Sequence, residues 1–205
     1  MGRLKLVFIT VILLVFSFIG YSQELVYDVT IEGRPVGNML VTKKVLDSGK
    51  VYFSAVMDLE YKLFRPTQMV QLMEAIYQND TLRQAYFVDK RNGELIQESK
   101  IERLQGKEYY RTTKDSTKNW HEKPVLNSLV KLYFNQPQKR DSVFSEITHK
   151  YNTIAKLPEE SRFMMVNEEG EKSIYEYNEN GICVQRNFNL GAVEYKIKLI
   201  EEDKK

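Results

Sequence analysis

The chain has 205 residues, which is enough to bury one sizeable core and somewhat short for two ordinary domains. Its 30 Lys and Arg nearly balance its 28 Asp and Glu, so the composition gives no strongly basic surface of the kind that binds nucleic acid. The single cysteine, Cys183, excludes an intramolecular disulfide, and the folded state must therefore be stabilised by its core.

The first 22 residues are typical of a secretory signal peptide. Arg3 and Lys5 provide the positively charged start, and an apolar run follows from Leu6 to Ile19. This run is shorter than the roughly 20 residues that a membrane-spanning helix needs, so we expect cleavage between Ser22 and Gln23 and no stable membrane insertion afterwards. Because Gln23 rather than a cysteine follows the cleavage site, we expect an exported protein without a lipid anchor, either periplasmic or secreted.

Cleavage would also change the charge of the protein. It removes two basic residues and leaves 28 Lys and Arg against 28 Asp and Glu in residues 23–205. The single β-rich domain that we predict for residues 23–205 is then formally neutral. We therefore expect no nucleic-acid partner.

Most of this domain alternates between apolar and polar residues, the pattern of antiparallel strands with one buried face. The alternation is clearest at Leu25, Tyr27, Val29 and Ile31, at Val51, Phe53, Ala55, Met57 and Leu59, and at Val193, Tyr195, Ile197 and Leu199. Turn residues that tolerate a positive φ separate the apolar runs. They are Gly33 to Gly37, Asn79-Asp80, Asn92-Gly93, Gln105-Gly106, Glu169-Gly170 and Asn180-Gly181. We predict a mainly β fold, with about a dozen antiparallel strands in a meander that curves into a barrel-like or half-barrel sheet.

Two segments have apolar residues at helical spacing. The segment from Pro124 to Phe134 has proline in its first turn and Pro137 beyond its end, and it is predicted to be the one helix. The segment from Gln68 to Tyr77 fits a helix or a strand. The turn signal at Asn79 and the apolar run after it favour a strand in a hairpin.

Landmarks along the chain resemble those of the DUF6134 family, uncharacterised secreted proteins of Bacteroidetes-type bacteria. They are Tyr27-Asp28-Val29 followed by Gly33 and Gly37, Ser128-Leu129, Leu132-Tyr133-Phe134, Pro137, Phe144-Ser145-Glu146 and Leu190-Gly191. The resemblance covers essentially all of residues 23–205. It implies an export signal, a β-rich fold and no assigned activity.

The sequence offers no motif for a cofactor or a metal ion. Two histidines and one cysteine do not supply the spacing of a zinc site, and the ten glycines form neither a P-loop nor a dinucleotide-binding fingerprint. Carboxylates at residues 168–171 could bind Ca²⁺, but a solvated acidic turn is the favoured interpretation. We therefore predict no cofactor and no metal.

The nearest approach to a catalytic group is Glu146 with His149. In a strand the two side chains would lie on opposite faces, and they could meet only if the segment turns. A surface histidine in a turn at a strand end is the favoured interpretation. Cys183 lies in an apolar run and is predicted to be a buried, inert thiol. No catalytic residue is assigned, and an enzyme is the less favoured class.

The candidate ligand-binding residues are Arg111, Lys118, Trp120 and His121. Basic groups beside the only tryptophan can hold an anionic or sugar-like ligand. The alternative is that Trp120 packs in the core while the basic residues remain solvated, and this alternative is favoured.

Three functions remain open. The first and favoured one is an exported binding module in the bacterial envelope that holds a lipid or another amphiphile inside a curved sheet, an architecture comparable with that of periplasmic lipid carriers. The second is an envelope scaffold that binds another protein. The third is a hydrolase whose catalytic residues cannot be assigned.

Overall fold

The computed structural model describes residues 22–62, 65–103, 109–113, 116–121, 123–138, 140–159 and 161–204. The predicted signal peptide therefore lies outside the described residues, except for Ser22 at its end. The predicted turn at Gln105-Gly106 also lies outside them.

One antiparallel sheet contains the fourteen strands formed by the described residues. The strands are β1 (Ser22–Ile31), β2 (Arg34–Val45), β3 (Lys50–Lys62), β4 (Pro66–Gln78), β5 (Thr81–Arg91), β6 (Glu94–Arg103), β7 (Tyr109–Thr113), β8 (Ser116–His121), β9 (Arg140–Phe144), β10 (Tyr151–Lys156), β11 (Arg162–Val166), β12 (Lys172–Tyr177), β13 (Cys183–Leu190) and β14 (Val193–Lys204). The predicted mainly β fold, a curved antiparallel meander of about a dozen strands, is confirmed.

The order of strands in the sheet shows how the two ends of the chain meet. Each strand pairs with its neighbours in sequence, except that β1 pairs with β14 while β8 and β9 form the two edges. The segment between these edges, residues 123–138, is called the β8–β9 connection below. It must cross from one edge of the curved sheet to the other.

Two-residue turns join several hairpins where the sequence predicts them. In one of these turns, φ is 51° at Asn79 and 55° at Asp80. In another, φ is 50° at Asn92 and 82° at Gly93. A tight hairpin turn requires such positive values. The first turn is at Glu32-Gly33 rather than across Gly33 to Gly37, because β2 already begins at Arg34. The segment from Gln68 to Tyr77 is part of β4, which confirms the prediction of a strand.

The inward residues of the strands form a single core with the β8–β9 connection. Leu25, Tyr27 and Val29 on β1 have no exposed surface, as their alternation predicts. The ring of Tyr27 packs edge-on against the ring of Tyr133, with centroids 5.3 Å apart. The first strand is therefore attached to the connection through the interior.

The predicted helix from Pro124 to Phe134 is wrong. This segment contains only a 3₁₀ turn, Lys131–Tyr133, and residues 124–127 have no regular secondary structure. The backbone N–H of Leu82 donates to the Val125 carbonyl at 2.9 Å, and the N–H of Phe144 donates to the Asn127 carbonyl at 2.9 Å, so the strands take the hydrogen bonds that a helix would make internally.

The reason for this error is the burial of the segment. Six apolar residues of the β8–β9 connection pack into the core and are between 0 and 5 % exposed, whereas Leu126 is 55 % exposed. The six are Val125, Leu129, Val130, Leu132, Tyr133 and Phe134. A short buried apolar run can fit helical spacing without being helical.

The outer face of the sheet carries a row of aliphatic residues. Leu40, Val56, Leu72 and Val88 are successive partners across β2, β3, β4 and β5. Leu40 is 40 % exposed and Val56 is 39 % exposed. These four residues are called the outer aliphatic row below.

None of the helical segments in the described ranges is long and apolar enough to cross a membrane.

Gly37 should be essential for the pairing of β2 with β3. Its φ is 149°, and a Cβ at this position would lie 2.1 Å from the backbone oxygen of Asp58. We expect Gly37→Ala to lower the free energy of unfolding by about 2 kcal/mol or more, as measured by urea denaturation.

The matched control is Gly33→Ala. Gly33 also has a positive φ, 72°, but no atom lies within 4 Å of the added Cβ. The free energy of unfolding of this variant should fall by only about 1 kcal/mol, because alanine adopts a positive φ less readily than glycine. Equal losses in the two variants would show that the contact with β3 is not the constraint at Gly37.

Candidate functional site

A cavity of about 400 Å³ opens into the interior of the curved sheet, and we call it the interior cleft. Its volume is within the range of roughly 300–1,000 Å³ that is usual for small-molecule sites. Strands β3 and β4 form one wall, strands β11 to β14 form the other, and Leu129 of the β8–β9 connection also lines it.

The β3–β4 wall is rich in methionine. Met57, Met69 and Met73 occupy inward positions on these two strands and are between 4 and 9 % exposed. Met165 on β11 faces them across the cleft, so four of the seven methionines in the chain line this one cavity. Flexible, polarizable methionine side chains adapt to irregular apolar ligands.

The opposite wall is aromatic. Phe188 on β13 and Tyr195 on β14 are direct partners across the two strands, and their rings stack with centroids 5.1 Å apart. Leu190 lies further along β13 and is 49 % exposed. The wall therefore changes from buried to exposed along β13, which places the cleft at an open end of the sheet.

Arg186 lies on the inward face of β13. Its partners are Tyr175 on β12 and Ile197 on β14, and both of these have no exposed surface. The guanidinium lies over the ring of Tyr175 at 5.1 Å and over the ring of Phe188 at 4.4 Å, and it lines the interior cleft. No carboxylate of the described residues lies within ion-pair distance of it. Its Nε is buried and has no acceptor among the described residues.

Two tyrosines, Tyr133 and Tyr175, lie next to this arginine. Their hydroxyls and that of Tyr177 are buried and have no hydrogen-bond partner in the described part of the chain. The phenol of Tyr133 lies beside the Arg186 guanidinium and favours its charged form. Burial raises the pKa of all three phenols, so they are neutral and supply no counter-charge.

Glu146 is a fully buried charged residue with a structural role. Its carboxylate oxygens accept hydrogen bonds from the backbone N–H groups of Leu129 at 3.0 Å and Val130 at 3.3 Å, at the start of the turn in the β8–β9 connection. Burial raises the pKa of Glu146 to about 7, although Ser128 and these backbone N–H groups act in the opposite direction.

His149 lies in the turn that follows β9, but it is not on the surface, so the predicted surface histidine is wrong. It is 4 % exposed, has a φ of 58°, and its Nε2 lies 2.8 Å from the hydroxyl of Ser99. Burial lowers the pKa of His149 to about 4, with a smaller contribution from the charge of Arg111. Although the backbone turns here, no hydrogen bond or ion pair joins Glu146 to His149, and the two do not form a catalytic pair.

Cys183 is fully buried, as predicted. Burial raises the pKa of its thiol to about 12, so it is not a thiolate at neutral pH. The acidic turn at residues 168–171 pairs with Lys150, which lies 2.8 Å from Glu168 and 3.4 Å from Glu169. Within the described residues, no three His, Cys, Asp or Glu side chains converge as a metal site requires.

The four predicted ligand-binding residues lie on two neighbouring strands at one edge of the sheet. Arg111 on β7 pairs with Lys118 on β8, and Tyr109 pairs with His121 across a register shift that includes Trp120. The structure describes only the backbone of Lys118, Trp120 and His121. Arg111 is not among the described residues that line the interior cleft.

Arg186 was not predicted from the sequence, although a signal for it was present. The last strand was predicted to bury Tyr195 and Ile197. In an antiparallel hairpin that turns at Gly191, Phe188 is opposite Tyr195. Two residues further along each strand, Arg186 is opposite Ile197, which is on the buried face. A charged residue at an inward position of a strand indicates a site.

The two buried titratable groups should give opposite dependences of stability on pH. The pKa of Glu146 rises from 4.5 to about 7 on folding, so its contribution to the free energy of unfolding decreases as the pH rises above 4.5. The pKa of His149 falls from 6.5 to about 4, so its contribution to the free energy of unfolding decreases as the pH falls below 6.5. Between pH 4.5 and 6.5 these two changes with pH have opposite signs and cancel.

Single variants separate these contributions. In Glu146→Gln, the free energy of unfolding should increase with pH between 4.5 and 6.5, relative to the parent, by up to about 1.4 kcal/mol per pH unit. In His149→Gln it should decrease by a similar amount. Urea denaturation at several pH values measures both slopes, and variants whose profiles run parallel to that of the parent would contradict the assignment.

Comparisons with known proteins agree with this architecture. The chain is similar to a solved structure from Brucella abortus, described as a β-barrel-like protein of the domain of unknown function DUF1849, with a TM-score of 0.60 and 13 % sequence identity. The match covers 90 % of this chain and 98 % of that one, and at this identity it shows the fold alone. No curated protein matches the chain. The sequence model of DUF6134, a domain of unknown function, matches residues 27–200, and the chain belongs to this family.

Proposed function

We propose that this protein is an exported binding module that holds an amphiphilic small molecule in the interior cleft. The observation that carries the proposal is the cavity of about 400 Å³, which has a methionine-rich wall and an aromatic wall. The cavity also has polar lining residues, and a cavity that combines apolar walls with polar groups is the usual form of a small-molecule site.

The distribution of polar groups favours an amphiphile over a purely apolar ligand. Gln71, Asn152 and Asn167 line the cleft together with the methionines, and Arg186 provides a charge. A ligand with an apolar body and a polar end matches both kinds of surface. A ligand without a polar end would leave Arg186 buried against hydrocarbon, which is unfavourable.

The proposed setting is the bacterial envelope. Residues 1–22 have the charge pattern and length of a signal peptide, and the family resemblance noted above implies secreted proteins of Bacteroidetes-type bacteria. A periplasmic or secreted module that carries an amphiphile is consistent with that setting.

The outer aliphatic row supports a second candidate, a scaffold that binds a protein of the envelope. Leu40 and Val56 expose aliphatic surface at neighbouring positions of the sheet, and such surface is typical of protein contacts. This function predicts that an envelope protein cross-links to a probe at Val56 in living cells. Repeated absence of a cross-linked partner would exclude it.

The hydrolase interpretation gains no support, because Glu146 and His149 bond to structural groups instead of to each other.

A bulky residue in the cleft should block binding. Met69 lies in the cleft wall and is 8 % exposed, so Met69→Trp should fill part of the cavity. We expect at least about a tenfold loss of affinity for an uncharged fluorescent alkyl probe, measured by titration.

The matched control is Val70→Trp. Val70 is the next residue of the same strand and faces the outer surface beside Leu72. Because the two variants add similar bulk to opposite faces of β4, the control should keep the affinity of the parent. Equal affinities in both variants, or a parent protein that binds no alkyl probe, would refute the proposal.

A further inference from the structure

We propose that the polar end of the ligand is an oxyanion and that Arg186 binds it inside the interior cleft. This inference rests on the proposed function, since it assumes that the cleft holds an amphiphile. It adds the chemical class of the ligand, an alkyl chain that ends in a carboxylate or a phosphate.

The first argument is the position of the charge. Arg186 lies between two fully buried partners, Tyr175 and Ile197, and its guanidinium lines the cleft. Arginine stays protonated in proteins, so this charge cannot be removed by titration. Arg186 is partly exposed, but its Nε is buried. A cation that is removed from water in part and lacks a counter-ion is unfavourable, and proteins usually pair such a group.

The second argument is that the neighbouring carboxylates are already used. Glu176 is adjacent in the sheet but pairs with Arg162 at 3.3 Å. Glu146 accepts hydrogen bonds from backbone N–H groups of the β8–β9 connection. Glu171, at the rim of the cleft, accepts a hydrogen bond from the side chain of Asn167 at 2.9 Å. None of these three lies within ion-pair distance of Arg186.

The third argument comes from the geometry around the guanidinium. The rings of Tyr175 and Phe188 contact it at 5.1 Å and 4.4 Å. Such cation–π contacts stabilise the charge through the ring faces but accept no N–H hydrogen bonds. The planar N–H fork of an arginine matches two oxygens of a carboxylate or a phosphate, which accept two parallel hydrogen bonds.

The buried phenols beside the guanidinium supply no negative charge. The hydroxyls of Tyr133 and Tyr175 have no hydrogen-bond partner in the described residues, although these side chains are 1 % and 0 % exposed. Neither residue is among the described ones that line the cleft. Because both phenols are neutral, a carboxylate or a phosphate that enters through the cleft would supply the missing counter-charge.

The experiment compares ligands that share one alkyl chain and differ in the polar end. Decanoate, decyl phosphate, decanol and decyltrimethylammonium are titrated into the full-length exported protein by competition with an uncharged alkyl probe. Decanoate or decyl phosphate should bind at least about tenfold more tightly than decanol, because one charge-assisted bidentate contact is added. The comparison between the two anions identifies the source of the oxyanion.

Variants assign the selectivity to one residue. Arg186→Gln and Arg186→Met should remove the preference for the anions over decanol, and Arg186→Lys should keep part of this preference. The matched control is Lys172→Gln, which removes a positive charge from the rim of the cleft. It should leave the preference nearly unchanged.

The outcomes separate this inference from the proposed function. If all four ligands bind the parent with equal affinity, the cleft holds amphiphiles but the inference about the oxyanion is wrong. If Lys172→Gln removes the preference as completely as Arg186→Gln, the assignment to Arg186 is wrong. If none of the ligands binds the parent, the proposed function fails as well. The parent comparison needs no variant and decides the matter even if an Arg186 variant does not fold.

Discussion

The pairing of β1 with β14 determines most of this architecture. It joins two meanders, β1 to β8 and β9 to β14, into a single sheet, with Tyr27 opposite Leu199 and Val29 opposite Ile197. Once these two strands are paired at the centre, β8 and β9 are the two edges, so the chain between them must pass from one edge to the other. That path crosses the inside of the curved sheet, and it explains why residues 128–130 and 132–134 of the β8–β9 connection are buried.

The same constraint explains why a cleft exists. The β8–β9 connection fills the interior with Leu132, Tyr133 and Phe134, and the space beyond Leu129 is lined mainly by side chains of the strands. Several polar groups in the filled region have partners: Tyr27 donates to the Cys183 carbonyl at 2.7 Å, and Tyr109 donates to the Leu82 carbonyl at 2.8 Å. Arg186 is different, since its neighbours are aromatic rings and neutral phenols and none of them is an anion. A cation that lines a cavity without a counter-ion is the basis of the proposed binding site.

Much of the fold could be predicted from the sequence, because the alternation of apolar residues and the Asn and Gly turns are local signals. Leu25, Tyr27 and Val29 are buried as their spacing predicts, and Asn92-Gly93 turns the chain where expected. The β8–β9 connection could not be predicted, since its hydrogen bonds go to residues distant in sequence, such as Leu82. Long-range contacts also decide the site. His149 is buried because Ser99 lies against it, and Arg186 faces inward because of the register of β13 on β14.

The central claim is that an amphiphile with an anionic end occupies the interior cleft. The most direct test is a crystal structure of the protein purified from its own cells without detergent or solvent extraction. We predict elongated density along the methionine-rich wall that ends within hydrogen-bond distance of Arg186. A cleft filled by the protein's own side chains, or an Arg186 paired with Glu146, would contradict the account.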